Sequence, residues 1–313
     1  MTQIVFMGTP EFAVPSLEAL TDSYQVAGVV TQPDRRSGRG RRVSASAVKR
    51  AALAHELPIF QPQTLRDPDA VGTLTTWQPD VIVVVAFGQI LQTEVLALPD
   101  YGCLNVHASL LPRWRGATPI AAAILAGDEV TGVTIMKMDA GLDTGPILAQ
   151  REETIRPDDT QGTLEKRLAK LGADLLLDIL PPYLTGSLEP RPQPEQDATY
   201  QGRLRKSAGR LDWTQPAVVL ARQVRAFDPW PGTFTTLEGK RLKVLDAEPM
   251  PHWKGDAPPG TVISCEAGIA VAAGEGALLL KGVQMAGKRP MDIDAFVCGH
   301  QMCIGSCLGE ETG

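Results

Sequence analysis

Short apolar runs rich in β-branched residues recur along the first half of the chain, each followed by residues with helical spacing. Gln3–Met7 is the first run and stops at Gly8; Gln25–Thr31, Val81–Ala86, Leu104–Val106 and Val133–Met138 follow. A run that is apolar at every position, as in Val81–Ala86, predicts a strand covered on both faces. Between the runs, apolar spacing of three and four predicts helices at about Ala45–His55 and Asp67–Trp77. A longer helix is expected over Thr160–Leu180, with leucines at 164, 168, 171, 175 and 176. Thr9 is expected to N-cap the first helix, with Pro10 at its first position, running through Phe12, Val14, Leu17 and Leu20. Strands alternating with helices argue for a parallel sheet wound by right-handed crossovers. Residues 1–185 are therefore expected as a Rossmann-like α/β domain.

The pattern then changes. Gly186–Tyr200 reads GSLEPRPQPEQDATY, and its alternating prolines predict an extended linker over 186–202. Beyond it, Pro216–Ala226 has helical spacing, with the proline suited to its first turn. Short runs follow between Gly and Pro turns: Gly232–Leu237, Leu242–Ala247, Gly260–Cys265, Ile269–Ala272 and Ala277–Val283. That spacing predicts a small β-barrel over 203–313, so the whole chain is α/β with a β-rich second domain.

Composition narrows the class. The longest apolar run, Val81–Phe87, falls well short of the ~20 residues a membrane helix needs. The N-terminus lacks a basic region ahead of its apolar part and reads as a strand, not a secretory signal. Five cysteines, an odd number, favour reduced thiols in the cytoplasm. Cys298, Cys303 and Cys307 with His300 lack paired C-x-x-C hooks, so no metal is expected. The net charge of −6 conceals an asymmetry: residues 1–202 carry −7 and residues 203–313 carry +1. Inside the acidic part, Arg35–Arg50 holds seven basic residues and no acidic one. Arginines among glycines, as in Ser37–Arg42, suit contacts with phosphates.

Two stretches carry candidate chemistry. In LNVHASLLPRWRGATP, Leu104–Pro119, Asn105 and His107 lie two apart at a strand's end and so share a face. Ligands of open α/β sheets bind at that end. In MDAGLDTGPIL, Met138–Leu148, Gly141 and Gly145 flank Asp143 in a tight turn that can aim its carboxylate into a cleft. An amide, an imidazole and a carboxylate suit acyl transfer to an amine. Amide and imidazole N–H groups can donate to an oxygen gaining negative charge. The carboxylate can orient the imidazole and help take the amine's proton. The Gly8-Thr9-Pro10 turn lacks the G-x-G-x-x-G pattern, so no dinucleotide site is expected there.

These stretches belong to a longer series in fixed order: FMGTPEFAVPSLEAL (6–20), TQPDRRSGRGRR (31–42), VVVAFGQIL (83–91), NVHASLLPRWRGATPI (105–120), TGVTIMKMDAGLDTGPIL (131–148), RAFDPWPGTF (225–234) and PGTV (259–262). In them the chain resembles, over almost its whole length, the methionyl-tRNA formyltransferases, a folate-dependent formyltransferase family. The resemblance implies transfer of formyl from 10-formyltetrahydrofolate to the amino group of initiator methionyl-tRNA, without a metal and by a cytoplasmic monomer. It implies Asn105, His107 and Asp143 as catalytic residues. It implies a folate-binding loop at Ser109, Leu110, Leu111 and Pro112, with Phe87, Gly88 and Ile90 beside it. Phe87 departs from the tyrosine usual there, so a phenol hydroxyl is missing near the folate loop. It also implies tRNA contacts from the basic segment (Arg35, Arg36, Arg39, Arg41, Arg42). An OB-like C-terminal domain would add others through Lys240, Arg241, Lys243, Lys288 and Arg289. Trp114 is expected near the mouth of the site, and Trp230, between two prolines, as a packing anchor.

Two rival readings remain. A related enzyme could formylate a small amine, an amino-sugar nucleotide or glycinamide ribonucleotide; the arginine cluster and second domain weigh against it. A non-catalytic RNA-binding barrel would have no use for the Asn, His and Asp.

Overall fold

A computed structural model describes residues 2–37, 42–299 and 304–309. It divides into two compact units. The first holds residues up to Pro119, Val130–Thr154 and Glu165–Gln201; the second holds Ile120–Glu129, Ile155–Leu164 and everything from Gly202.

The first unit is built on a seven-stranded sheet. Its five parallel strands lie in the order Ile59–Phe60, Gln25–Val30, Gln3–Gly8, Val81–Val85, Cys103–His107. The chain reverses its winding direction between Gln3–Gly8 and Val81–Val85, which creates the crevice where such sheets place ligands. The sheet is not wholly parallel as expected. Val130–Lys137 runs antiparallel to Cys103–His107, and Ile147–Thr154 antiparallel to Val130–Lys137. This last strand lies at the edge and alternates half-buried with exposed positions along Ala149–Thr154, so no continuous apolar run betrays it.

Helices cover both faces. One core joins Val5, Met7, Ile82 and Val84 to Leu65, Leu74 and Phe87. Elsewhere in this unit the helix Gln161–Leu184 packs on the strand that carries Asn105 and His107. A Cβ on its Gly172 would meet Val106 Cγ1 at 2.7 Å, so glycine permits the close approach. That helix continues through Pro181 and Pro182, past the expected end at Leu180. The first helix also differs from expectation. A 3₁₀ turn at Glu11–Ala13 leads into Val14–Ser23. Thr9 does not cap it, because its hydroxyl donates to Phe87 O at 2.9 Å across the sheet crevice. Ser46 and Asp67, by contrast, cap Ala47–Ala54 and Pro68–Thr76 through their side chains.

The second unit is an antiparallel sheet ordered Thr233–Leu237, Lys240–Met250, Ala277–Met285, Gly268–Ala272, Val262–Cys265, with Met291–Asp292 added against Ala277–Met285. Each expected run is present as a strand. The helix Ala217–Ala226 lays Leu220, Ala221 and Val224 into one core with Leu242, Val244, Leu278, Leu280 and Val283. Pro216 precedes that helix as its cap residue and does not occupy its first turn. Trp230 is half exposed, contrary to its expected anchoring role; Phe227 takes the buried place beside that turn.

Candidate active site

Strand alternation sends Leu104 and Val106 toward one side of the sheet and Cys103, Asn105 and His107 toward the other. His107 is buried at 6% exposure, and Asn105 is half-buried. The turn carrying Asp143 brings its carboxylate between them. Oδ1 lies 3.4 Å from Asn105 Nδ2, and Oδ2 lies 3.7 Å from His107 Nδ1. The carboxylate is fixed on its other side by the Gly116 N–H, which donates to Oδ2 at 2.8 Å. Asp143 itself sits at φ 54°, in the left-handed region that Asp and Asn tolerate best. The three residues that the sequence singled out therefore meet in one place.

The imidazole has a definite orientation. His107 Nε2 lies 3.1 Å from the Trp114 carbonyl oxygen. A carbonyl only accepts, so Nε2 carries a hydrogen and the Nδ1 edge is the one turned to Asp143. Neither the 3.4 Å amide contact nor the 3.7 Å separation is a tight hydrogen bond, so Asn105 and the Nδ1 edge retain capacity for a substrate atom. Cys103, on the same strand, is no competing nucleophile. Burial pushes its thiol up to about 12, outweighing the opposite pull of Lys137.

The Ser109–Pro112 loop is pinned from below by the antiparallel pair of strands. Thr134 Oγ1 donates to Ser109 O at 2.6 Å and accepts from Leu111 N at 3.0 Å. Gln150 Nε2 donates to Leu111 O at 2.8 Å and to Thr134 Oγ1 at 3.0 Å. The Ser109 hydroxyl donates to Arg113 O at 2.6 Å. Ser109 and Leu111 are buried, so the loop offers a ligand its backbone and the half-buried Leu110 and Pro112. Phe87 packs its ring in the core, and its carbonyl accepts from Thr9 and from Gln32 Nε2 at 3.3 Å. A phenol at that position would face the core, not solvent. Gly88 is exposed at φ 85°, and Ile90 is 75% exposed on the rim.

The basic segment forms a short hairpin, Arg35–Ser37 against Arg42–Ser44, with Arg35 opposite Ser44 and Ser37 opposite Arg42. Arg36 and Arg42 occupy these strands, whereas Arg39 and Arg41 lie outside the described residues. Arg35 donates to Gln32 Oε1 at 3.0 Å, so one glutamine touches both the hairpin's base and Phe87. Lys49 and Arg50 are held in ion pairs with Asp34 and Glu11, each at 2.6 Å.

In the second unit the five expected cations gather at one end of the sheet. Leu242 pairs with Met285, and Ala286 N–H donates to Arg241 O at 3.1 Å. This sets Lys240, Arg241 and Lys243, all exposed, beside the turn bearing exposed Lys288 and Arg289. Arg241 lies over the Phe234 ring, 3.3 Å from its centroid.

Sequence reasoning missed the role of the 186–202 segment, which was expected only as a linker. Its Tyr200–Gln201 strand pairs in parallel with Arg115–Gly116. Thr199 accepts from Trp114 N at 2.8 Å, the residue whose carbonyl holds His107. Gly116 sits at φ 107° with Gln201 O only 2.4 Å from where a Cβ would stand, which restricts the position to glycine. Arg115 is fully buried beneath this segment. It donates to Gln193 Oε1 at 3.1 Å, Glu195 Oε2 at 2.9 Å and Tyr200 Oη at 2.7 Å.

Comparison with known proteins follows the same lines. The formyl transferase family model matches residues 2–180, and the formyl transferase C-terminal domain model matches residues 203–301. The methionyl-tRNA formyltransferase of Thiobacillus denitrificans is 52% identical, over 98% of this chain and 99% of its own length. That of Myxococcus xanthus is 51% identical over 97% of each. Among solved structures, the sugar 3N-formyl transferase WlaRD, crystallised with dTDP and 5-N-formyl-THF, superposes with a TM-score of 0.66 at 19% identity, covering 92% of this chain and 99% of that one. HypX from Aquifex aeolicus, in complex with tetrahydrofolic acid, gives a TM-score of 0.63 at 20% identity, covering 95% of this chain and 46% of that longer chain.

Proposed function

The chain belongs to the formyl transferase family, and from that premise we propose that Asn105, His107 and Asp143 carry out the transfer. The enzyme is a methionyl-tRNA formyltransferase in activity: it moves a formyl group from 10-formyltetrahydrofolate to the amino group of methionyl-tRNA. The observation that carries the assignment of roles is the carboxylate of Asp143 lying between Asn105 Nδ2 and His107 Nδ1.

The chemistry follows from that placement. As the amine attacks, a carbon–nitrogen bond forms at the formyl carbon and its oxygen gains negative charge. Asn105 Nδ2 faces this charge as a donor, and so does His107 Nδ1 in the imidazolium form, since Nε2 already donates to the Trp114 carbonyl. The attacking nitrogen must lose a proton, and the Asp143 carboxylate receives it. The bond from the formyl carbon to the folate nitrogen then breaks, and that nitrogen takes up a proton. No electron changes hands between donor and acceptor. The Leu110–Pro112 wall and exposed Ile90 give the folate an apolar bed, and the backbone groups of both loops meet its polar edge. The basic segment, Arg35, Arg36, Arg39, Arg41 and Arg42, engages the acceptor end of the tRNA. Lys240, Arg241, Lys243, Lys288 and Arg289 contact phosphates further along it. The catalytic domain is assigned to 1–185 and the tRNA-binding domain to 203–313. No helix among the described residues is long and apolar enough to cross a membrane; the enzyme works as a monomer in the cytoplasm, and initiator methionyl-tRNA is its acceptor.

Labelled 10-formyltetrahydrofolate, offered with methionyl-tRNA, glycinamide ribonucleotide or an amino-sugar nucleotide in separate reactions, tests the reading. Label appears on methionyl-tRNA alone and is lost in Asp143→Ala. Label on a small amine would move the substrate assignment to the rival reading.

A further inference from the structure

Asp143 owes its position to a turn whose carbonyls face the proline-rich segment. The Gln193 amide nitrogen donates to Asp143 O at 2.9 Å and to Gly145 O at 2.7 Å, while its Oε1 accepts from the buried Arg115 Nε at 3.1 Å. Three partners thus fix the amide's orientation: reversing it would set oxygen against two carbonyls and nitrogen against a guanidinium. Arg115 is tied in turn to Glu195 and Tyr200 of the same segment. The non-glycine positive φ at Asp143 is the kind of backbone state that persists only when neighbours hold it.

We infer that Gln193 is a positioning residue for formyl transfer, which clamps the Asp143–Gly145 turn and so holds the carboxylate between Asn105 and His107. The inference rests on the catalytic role proposed for Asp143. Gln193 hydrogen-bonds the backbone of one catalytic residue, at Asp143 O, and not its carboxylate. Removing the clamp therefore slows the chemical step and leaves substrate binding in place.

Two variants separate this from a merely structural role. Gln193→Met fills similar space without hydrogen bonds. Gln193→Glu keeps an acceptor for Arg115 but replaces the amide donor with an oxygen facing the turn's carbonyls. Single-turnover rates and the KM for methionyl-tRNA and for 10-formyltetrahydrofolate are measured for both, alongside thermal unfolding. Both variants are expected to lose about 10- to 100-fold in kcat, as a small misplacement of a catalytic group does, with each KM within about twofold. If Gln193→Met unfolds below the assay temperature, Gln193→Glu alone decides. A Gln193→Glu enzyme with wild-type kcat would overturn the inference, since anchoring Arg115 would then suffice. Losses confined to KM would overturn it as well. Wild-type protein that formylates no methionyl-tRNA would instead sink the functional reading, and this one with it.

Discussion

At the carboxyl ends of the first unit's strands, polar groups are held by partners from several separate elements. Asp143 is approached by Gly116, Asn105 and His107, and Thr134 serves both Ser109 and Leu111. On the second unit's sheet, Lys240, Lys243, Lys288 and Arg289 stand exposed on a frame ordered by the apolar core beneath them. The first region is built so that each group depends on others; the second is a collection of charges whose contributions add. The two should fail differently, the first abruptly and the second by degrees.

The largest effect is expected from Asp143→Ala, which removes the group shared by Asn105 and His107. Transfer should fall by about 10²- to 10⁴-fold in a single-turnover assay. A drop under tenfold would show that the carboxylate is structural. Next comes Thr134→Val, which strips a buried hydroxyl from Ser109 O and Leu111 N. Each orphaned group costs about 1–3 kcal/mol, so the loop loosens and KM for the folate should rise at least tenfold while KM for tRNA stays put. Equal changes in both would mean that the loop serves both substrates. Gly172→Ala is expected to lower stability by about 1–3 kcal/mol, read by urea unfolding, because the new methyl meets Val106 at 2.7 Å. Smallest are Lys243→Ala and Lys288→Ala, each weakening tRNA binding a few-fold and lowering the salt slope by about one per lost phosphate contact. Their effects should add in the double variant; strong coupling between them would erase the contrast between the two regions.

Much of this was legible in the chain. Continuous β-branched runs such as Val81–Val85 declare a doubly covered strand, and the two-residue spacing of Asn105 and His107 already places them on one face. Asp143 could be added because two glycines announce its turn. The edge strand Ile147–Thr154 was not legible, since one face is wet and the pattern lacks an apolar run. The meaning of Gln193 was hidden for a different reason. Its two carbonyl partners lie 50 and 48 positions away, and no local periodicity encodes a contact of that range. A proline-rich stretch announces extension but not what it lies against. Thr9 misled because a good cap residue was claimed by a tertiary partner, Phe87 O, ahead of the local helix.

The division of labour between chemistry and tRNA capture is tested most directly with one variant, His107→Ala, by measuring its single-turnover formyl transfer and its affinity for methionyl-tRNA in the same preparation. The transfer rate is expected to fall by about 10²- to 10⁴-fold, with tRNA affinity within about twofold of wild type. Parallel loss of both, as deep in affinity as in rate, would contradict it, and would place His107 in the tRNA-binding surface instead of at the formyl group.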